Sequence, residues 1–171
     1  LHTALTKQLG ADATSNLSVI ESDILTFDFT QLPTGYKVVA NIPYYLTSHL
    51  IRILGESSNS PSTAVLLIQK EVAERVCAKP GDMSLLSVSA QVFFEATLNI
   101  FVPASLFTPP PKVDSQVLVL EKRQTPIVPV EQQKEFFRLV KAGFGERRKK
   151  LRSSLSGGLQ ISKPEADALL I

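Results

Sequence analysis

The sequence is poor in residues that cross-link or coordinate. Its 171 residues contain one cysteine, Cys77, and two histidines, His2 and His49. A single cysteine cannot form an intramolecular disulfide and suits a reducing cytoplasm. One cysteine and two distant histidines do not supply the clustered ligands of a structural zinc site, so no metal is expected. The longest apolar run, residues 64–68, is far short of the roughly 18 residues a membrane-spanning helix needs, and no membrane partner is expected. Charged residues make up only 20%, but hydrophobic residues reach 44%, which excludes an intrinsically disordered chain. The length suits one domain, or one domain with a small appendage. The chain starts at Leu1, not methionine, and residues 3–9 read as part of a helix and not as a signal peptide. Residues 166–171 stop inside another apolar, helix-like run. Neither end reads as a natural terminus, so a segment of a longer protein is expected.

Charge is concentrated. Residues 141–152 hold six basic residues (Lys141, Arg147, Arg148, Lys149, Lys150 and Arg152) against one acid, Glu146. That is +5 in a chain whose formal net charge is +2, which leaves −3 for the remainder. One basic segment on a mildly acidic protein suits docking of an anion, with nucleic acid the usual candidate; a solvated helix end is the plain alternative.

Strand-like and helical stretches alternate. Residues 17–20, 36–41, 63–68, 97–102 and 116–120 read as strands, the 63–68 run as one buried on both faces. Residues 46–54, 71–78 and 84–94 read as helices, with turns at Pro33-Thr34-Gly35 and Pro80-Gly81-Asp82. The pattern implies an α/β fold with a mostly parallel sheet. Pro109, Pro110 and Pro111 make the following loop stiff and remove three amide donors. After the linker-like residues 125–129 the strands cease. Residues 131–144 place Phe136, Val140 and Phe144 on one helical face. Residues 147–155 read as a second helix, with Leu151 and Leu155 facing inward and Arg148 and Arg152 together on a flank. The expected division is residues 1–126 and a small helical domain over 127–171.

Asn41-Ile42-Pro43-Tyr44 sits where a strand is expected to end, and ligands of open α/β sheets bind beyond the carboxyl ends of strands. Pro43 biases Ile42 toward an extended conformation. The Asn41 amide oxygen and the Ile42 carbonyl are two acceptors suited to an exocyclic amino group. They would hold its hydrogens and stabilise the positive charge that grows as the nitrogen attacks an electrophile. Tyr44 offers a flat face for stacking. A strand-to-helix turn with a core tyrosine is the plain alternative.

With these residues the sequence resembles the ribosomal RNA adenine N6-methyltransferases. Residues 67–75 (LIQKEVAER) are similar to a second stretch of that family. Residues 107–115 (FTPPPKVDS) resemble its bacterial small-subunit adenine N6,N6-dimethyltransferase branch more than the macrolide-resistance methylases of the large subunit. Residues 147–152 (RRKKLR) match the family's basic helix. The resemblance implies a class I S-adenosylmethionine-dependent methyltransferase sheet, Rossmann-like, whose first strands lie outside these residues, followed by an incomplete helical RNA-binding domain. It implies S-adenosylmethionine as methyl donor and Asp23 and Ile24 at the cofactor's adenine, with Asn41 between cofactor and substrate. It also implies Phe107 stacking on the target base opposite Tyr44, and Arg147, Arg148, Lys149, Lys150 and Arg152 on RNA. The partner implied is small-subunit (16S) rRNA or the pre-ribosomal small subunit, in the cytoplasm, acted on by a monomer.

The sequence departs from the family in three places. No glycine-rich strand-turn-helix or ribose-binding acid is present, and both are expected before Leu1, on two strands lying between the Val19 and Val38 strands. Tyr45 stands where the family usually has Asn, and Ser84-Leu85 where it has Gly-Arg. Asp23 as a simple turn cap remains an alternative. So do two functions: a non-catalytic methyltransferase-like protein that grips nucleic acid, and a large-subunit methylase.

Overall fold

The structure is a computed structural model that describes residues 18–146 and 148–170. Its sheet has four strands: β1 (Lys37–Asn41), β2 (Thr63–Gln69), β3 (Phe94–Val102) and β4 (Ser115–Lys122). They lie in the order β1-β2-β4-β3. β1 and β2 are parallel, with Val39 opposite Val65 and Asn41 opposite Leu67. β4 is antiparallel to both of its neighbours, β2 and β3. Three strands therefore run one way and one runs back. The expected mostly parallel sheet is corrected to a mixed one with one parallel pair, because β3 and β4 meet as an antiparallel pair joined by the proline loop.

Alternation sets the core. Ala64, Leu66 and Ile68 of β2 and Leu118 and Leu120 of β4 are fully buried on one face. That face packs under α1 (Thr47–Glu56), α2 (Lys70–Val76) and α3 (Leu85–Gln91). α1 contributes Leu50, Ile51 and Leu54, an i, i+1, i+4 stripe that turns one side of the helix inward. The opposite face is only half-buried at Val65 and Leu67. The expectation of a β2 buried on both faces is thus corrected. Val39 on β1 is 82% exposed.

Several boundaries differ from expectation. Residues 18–20 form no strand and are exposed; Leu17 lies outside the described residues. A strand needs a ladder partner, and among the described residues none runs beside them. The expected helix over 84–94 stops at Gln91, and Phe94 begins β3. Ser84 is the N-cap of α3 in a reciprocal capping box with Ser87, which accounts for serine at that departure from the family pattern.

The carboxyl-terminal helices are α4 (Val130–Phe144), α5 (Leu151–Leu159) and α6 (Lys163–Ala168). They close a second small core of Ala142, Leu155 and Ala166. Phe136 and Val140 are half-buried, but Phe144 is exposed, so the α4 stripe ends a turn earlier than expected. Leu151 is 50% exposed and does not face inward as Leu155 does. Phe137 stacks on Phe93 with ring centroids 5.8 Å apart, and Ile127 N donates to Val92 O. These contacts tie the helices to the sheet domain.

Candidate active site

The topology gathers the expected chemistry at one end of the sheet. β1 and β2 end there at Asn41 and Gln69. β4 starts there, since Gln69 pairs with Ser115, and β3 ends there, since Val102 also pairs with Ser115. The Asn41–Tyr44 segment and the proline loop thus share the carboxyl edge where open α/β sheets bind ligands.

Asn41 is exposed, and its side chain makes no hydrogen bond among the described residues, so its amide is available to a ligand. Ile42 buries its side chain in the main core, which anchors the backbone beside it. Pro43 precedes a 3-10 turn over Tyr44–Leu46, closed by Leu46 N donating to Pro43 O at 3.0 Å. α1 begins directly after it. Tyr44 is half-buried, and its hydroxyl lies 2.9 Å from Ser115 Oγ. Tyr45 is 84% exposed.

The proline loop is anchored at both ends. Phe107 is half-buried and caps a 3-10 turn over Ala104–Leu106. The Thr108–Pro109 peptide is cis. Asp114 holds the other end twice: its Oδ1 accepts from Ala104 N at 2.9 Å and its carbonyl accepts from Lys70 N at 3.0 Å. Lys70 lies over the Phe101 ring, 5.4 Å from its centroid, and pairs with Glu74. Glu71 pairs with Arg75. Both residues at the start of α2 therefore have structural partners.

Asp23 lies in a turn ahead of β1, where its Oδ1 accepts from Leu25 N at 2.9 Å. The turn-capping alternative is thus realised in the structure. Oδ2 of Asp23 and the Ile24 amide make no hydrogen bond among the described residues. An acceptor beside a donor matches the edge of an adenine ring, so the residues fit the cofactor's base as far as their donor set goes. No hydrogen bond or core contact joins Asp23 or Ile24 to Asn41.

The basic segment is corrected from a helix to a loop. Arg147 lies outside the described residues, residues 148–150 form a turn, and α5 begins at Leu151. Lys149 pairs with Glu146 and Arg152 with Asp167. Among the described residues Arg148 and Lys150 make no ion pair and are exposed. These cations stand before a helix start that has no acid in its first turn and no side-chain cap. Positive side chains at the positive end of a helix dipole are unfavourable alone and favourable around an anion. A cleft between this loop and the sheet domain is lined by Arg52, Arg75, Leu85, Phe144, Lys149 and Leu151.

Sequence reasoning passed over Ser115 and Asp114 as site-forming residues. Both were visible in the 107–115 motif, but nothing in a linear motif shows that its last two residues grip Tyr44 and Lys70. Among the described residues no group of three His, Cys, Asp or Glu could hold a metal ion, and no helix is long and apolar enough to cross a membrane.

A mixed sheet with an Asn-Ile-Pro-Tyr turn at its carboxyl edge, followed by a helical appendage, has the architecture of the class I methyltransferase fold. Two solved structures agree. A dimethyladenosine transferase from Plasmodium falciparum superposes with a TM-score of 0.74 at 30% identity, over 91% of this chain and 55% of that one. The 23S rRNA methyltransferase ErmE superposes with a TM-score of 0.70 at 27% identity, over 90% of this chain and 61% of that one. The chain belongs to the family described as Ribosomal RNA adenine dimethylase, whose profile matches residues 1–167. Among its curated relatives, Ribosomal RNA small subunit methyltransferase A of Dehalococcoides mccartyi strain CBDB1 is 42% identical over 91% of this chain. The Enterococcus faecalis protein of the same name is 41% identical over 82%. The chain spans about half the length of these relatives, 54% and 51% respectively.

Proposed function

We propose that these residues form the acceptor side of a methyltransferase that dimethylates adenine N6 in small-subunit rRNA. The observation that carries this is the meeting of the Asn41–Tyr44 turn and the Phe107–Ser115 loop at one sheet edge. The exocyclic nitrogen of adenine is a weak nucleophile because its lone pair is delocalised into the ring. The Asn41 oxygen and the Ile42 carbonyl hold its two hydrogens and favour a pyramidal nitrogen. They also stabilise its growing positive charge. Tyr44 stacks on one face of the base and Phe107 on the other. The target must be unstacked from its neighbours to enter. S-adenosylmethionine, when bound, supplies an electrophilic methyl group. Asp23 and Ile24 would hold its adenine, and Asn41 would lie between it and the substrate. No strongly basic side chain is needed, because the methylated, cationic nitrogen readily gives its proton to solvent.

Residues 1–126 serve as the catalytic portion and 127–171 as an RNA-binding portion, a division supported by the separate core of the helical segment. Arg148 and Lys150, with Arg147, Lys149 and Arg152, meet phosphates of the RNA. The small-subunit assignment rests on relatives near 42% identity, against 27% for the 23S rRNA enzyme. The expected setting is a cytoplasmic monomer acting on the pre-ribosomal small subunit. The test is to incubate a full-length enzyme carrying these residues with labelled S-adenosylmethionine and either unmethylated small or large subunits. Digestion of the RNA is expected to give N6,N6-dimethyladenine from the small subunit. Label in the large subunit alone would favour the resistance-methylase reading, and tight RNA binding without label the non-catalytic one.

A further inference from the structure

Tyr44 is held at both ends. Its backbone is fixed by the 3-10 turn after β1, and its hydroxyl by Ser115 Oγ at 2.9 Å. Ser115 is completely buried at the first position of β4, opposite both Gln69 and Val102. Its neighbour Asp114 is bonded to Lys70 N and Ala104 N, so the serine's own backbone has little freedom. A buried hydroxyl requires a partner, and among the described residues the only one Ser115 has is Tyr44. The Tyr44 ring makes no stacking contact with Phe27, Phe29, Tyr36, Phe93, Phe136 or Phe137, the rings that do stack. Among the described residues the hydroxyl bond is therefore its one specific tether beyond the backbone. A ring held at Cβ and at its hydroxyl sweeps less volume than one held at Cβ alone.

We propose that Ser115 is a positioning residue for methyl transfer, fixing through the Tyr44 hydroxyl the depth at which the tyrosine face meets the target base. The catalytic part of this inference rests on the proposed function; the tether itself does not. It also joins the two motifs physically, because Ser115 closes the proline loop that carries Phe107. Both stacking aromatics are thereby referenced to one buried hydroxyl.

The chain has only three tyrosines, Tyr36, Tyr44 and Tyr45, so a ring-labelled tyrosine NMR spectrum resolves the tether directly. Tyr44→Phe assigns the Tyr44 signals. Ser115→Ala is expected to shift them and leave those of Tyr36 and Tyr45 in place. Thermal unfolding of each variant checks the fold. Tyr44→Phe deletes the same bond from the less buried side, should Ser115→Ala fail to fold. In a full-length enzyme carrying these residues, each single variant should lower kcat roughly two- to tenfold, the effect of one hydrogen bond, with KM for the subunit little changed. The double variant should be no slower than the slower single one. Multiplying effects, or unmoved Tyr44 signals, would overturn the proposal. A wild-type enzyme that transfers no methyl group would overturn the catalytic role through the function it rests on, even with the Tyr44 signals shifted by Ser115→Ala.

Discussion

Two adjacent glycines in α5 occupy opposite environments. A Cβ on Gly158 would lie 2.6 Å from Ala142 Cα and Cβ, whereas one on Gly157 meets nothing within 4 Å. Gly157→Ala should therefore stabilise the helical segment by about 0.5–1 kcal/mol through helix propensity. Gly158→Ala should destabilise it by about 1–3 kcal/mol, because α4 and α5 must part where Ala142 meets Gly158. Thermal unfolding of the two variants checks the pair, and equal shifts would contradict the packing. At Cys77, burial pushes the thiol pKa up from its ordinary value. The reactive thiolate is then scarcer at neutral pH, so alkylation should be slower than for a free cysteine and should accelerate in denaturant. Equal rates in both conditions would argue against that burial. Asn41 and Tyr44 stand out in the sequence because their residue types suit an amino group and a base, the role proposed for them above. The sequence could not show that Gly158 is a contact and Gly157 a gap, since that difference exists only across the α4–α5 interface.

The basic segment shows how an element can be legible in charge and not in shape. Arg and Lys are good helix formers, which favours a helix through residues 147–155. Ser154 overrides that preference. Its buried Oγ lies 2.8 Å from Ala142 O, to which it donates, and accepts from Glu146 N at 3.2 Å. This ties off the end of α4 and forces a turn before Leu151. The consequence is a loop whose cations differ in availability. Replacing Arg148 and Lys150 together by alanine should weaken binding of the small subunit. It should also flatten the slope of log affinity against log salt by about 0.7–0.9 for each phosphate no longer neutralised. Arg152→Ala should flatten it less, because Asp167 already engages that guanidinium at 3.1 Å. Filter binding over a salt series reads both variants. A double variant with an unchanged slope would leave the segment a solvated loop with no part in RNA binding.

At the scale of the molecule, β2 was legible as a strand because residues 64–68 are one apolar run, and α1 as a helix because Leu50, Ile53 and Leu54 recur at helical spacing, but the one-sided burial of β2 was not, since its residues are apolar on both faces. Of the strand expected at residues 17–20, the described part, 18–20, is not realised, because a strand needs a ladder and among the described residues none runs beside it. On the uncovered face of β1 Val39 is 82% exposed, and the 171 residues contain no glycine-rich strand-turn-helix. Calorimetry on this chain alone should accordingly detect no S-adenosylmethionine binding tighter than roughly millimolar, or about −4 kcal/mol. Micromolar binding would mean that the cofactor contacts are built differently. The central claim is that Asn41, at the carboxyl end of β1, holds the reacting nitrogen. It is tested most directly by the single-turnover rate of adenine N6 methylation on unmethylated small subunits, comparing a full-length enzyme carrying these residues with its Asn41→Ala variant. Loss of one acceptor that acts in the transition state costs about 2.7–4 kcal/mol, so the variant should be roughly 100- to 1000-fold slower with its unfolding temperature unchanged. Methylation by Asn41→Ala at the wild-type rate would contradict the account.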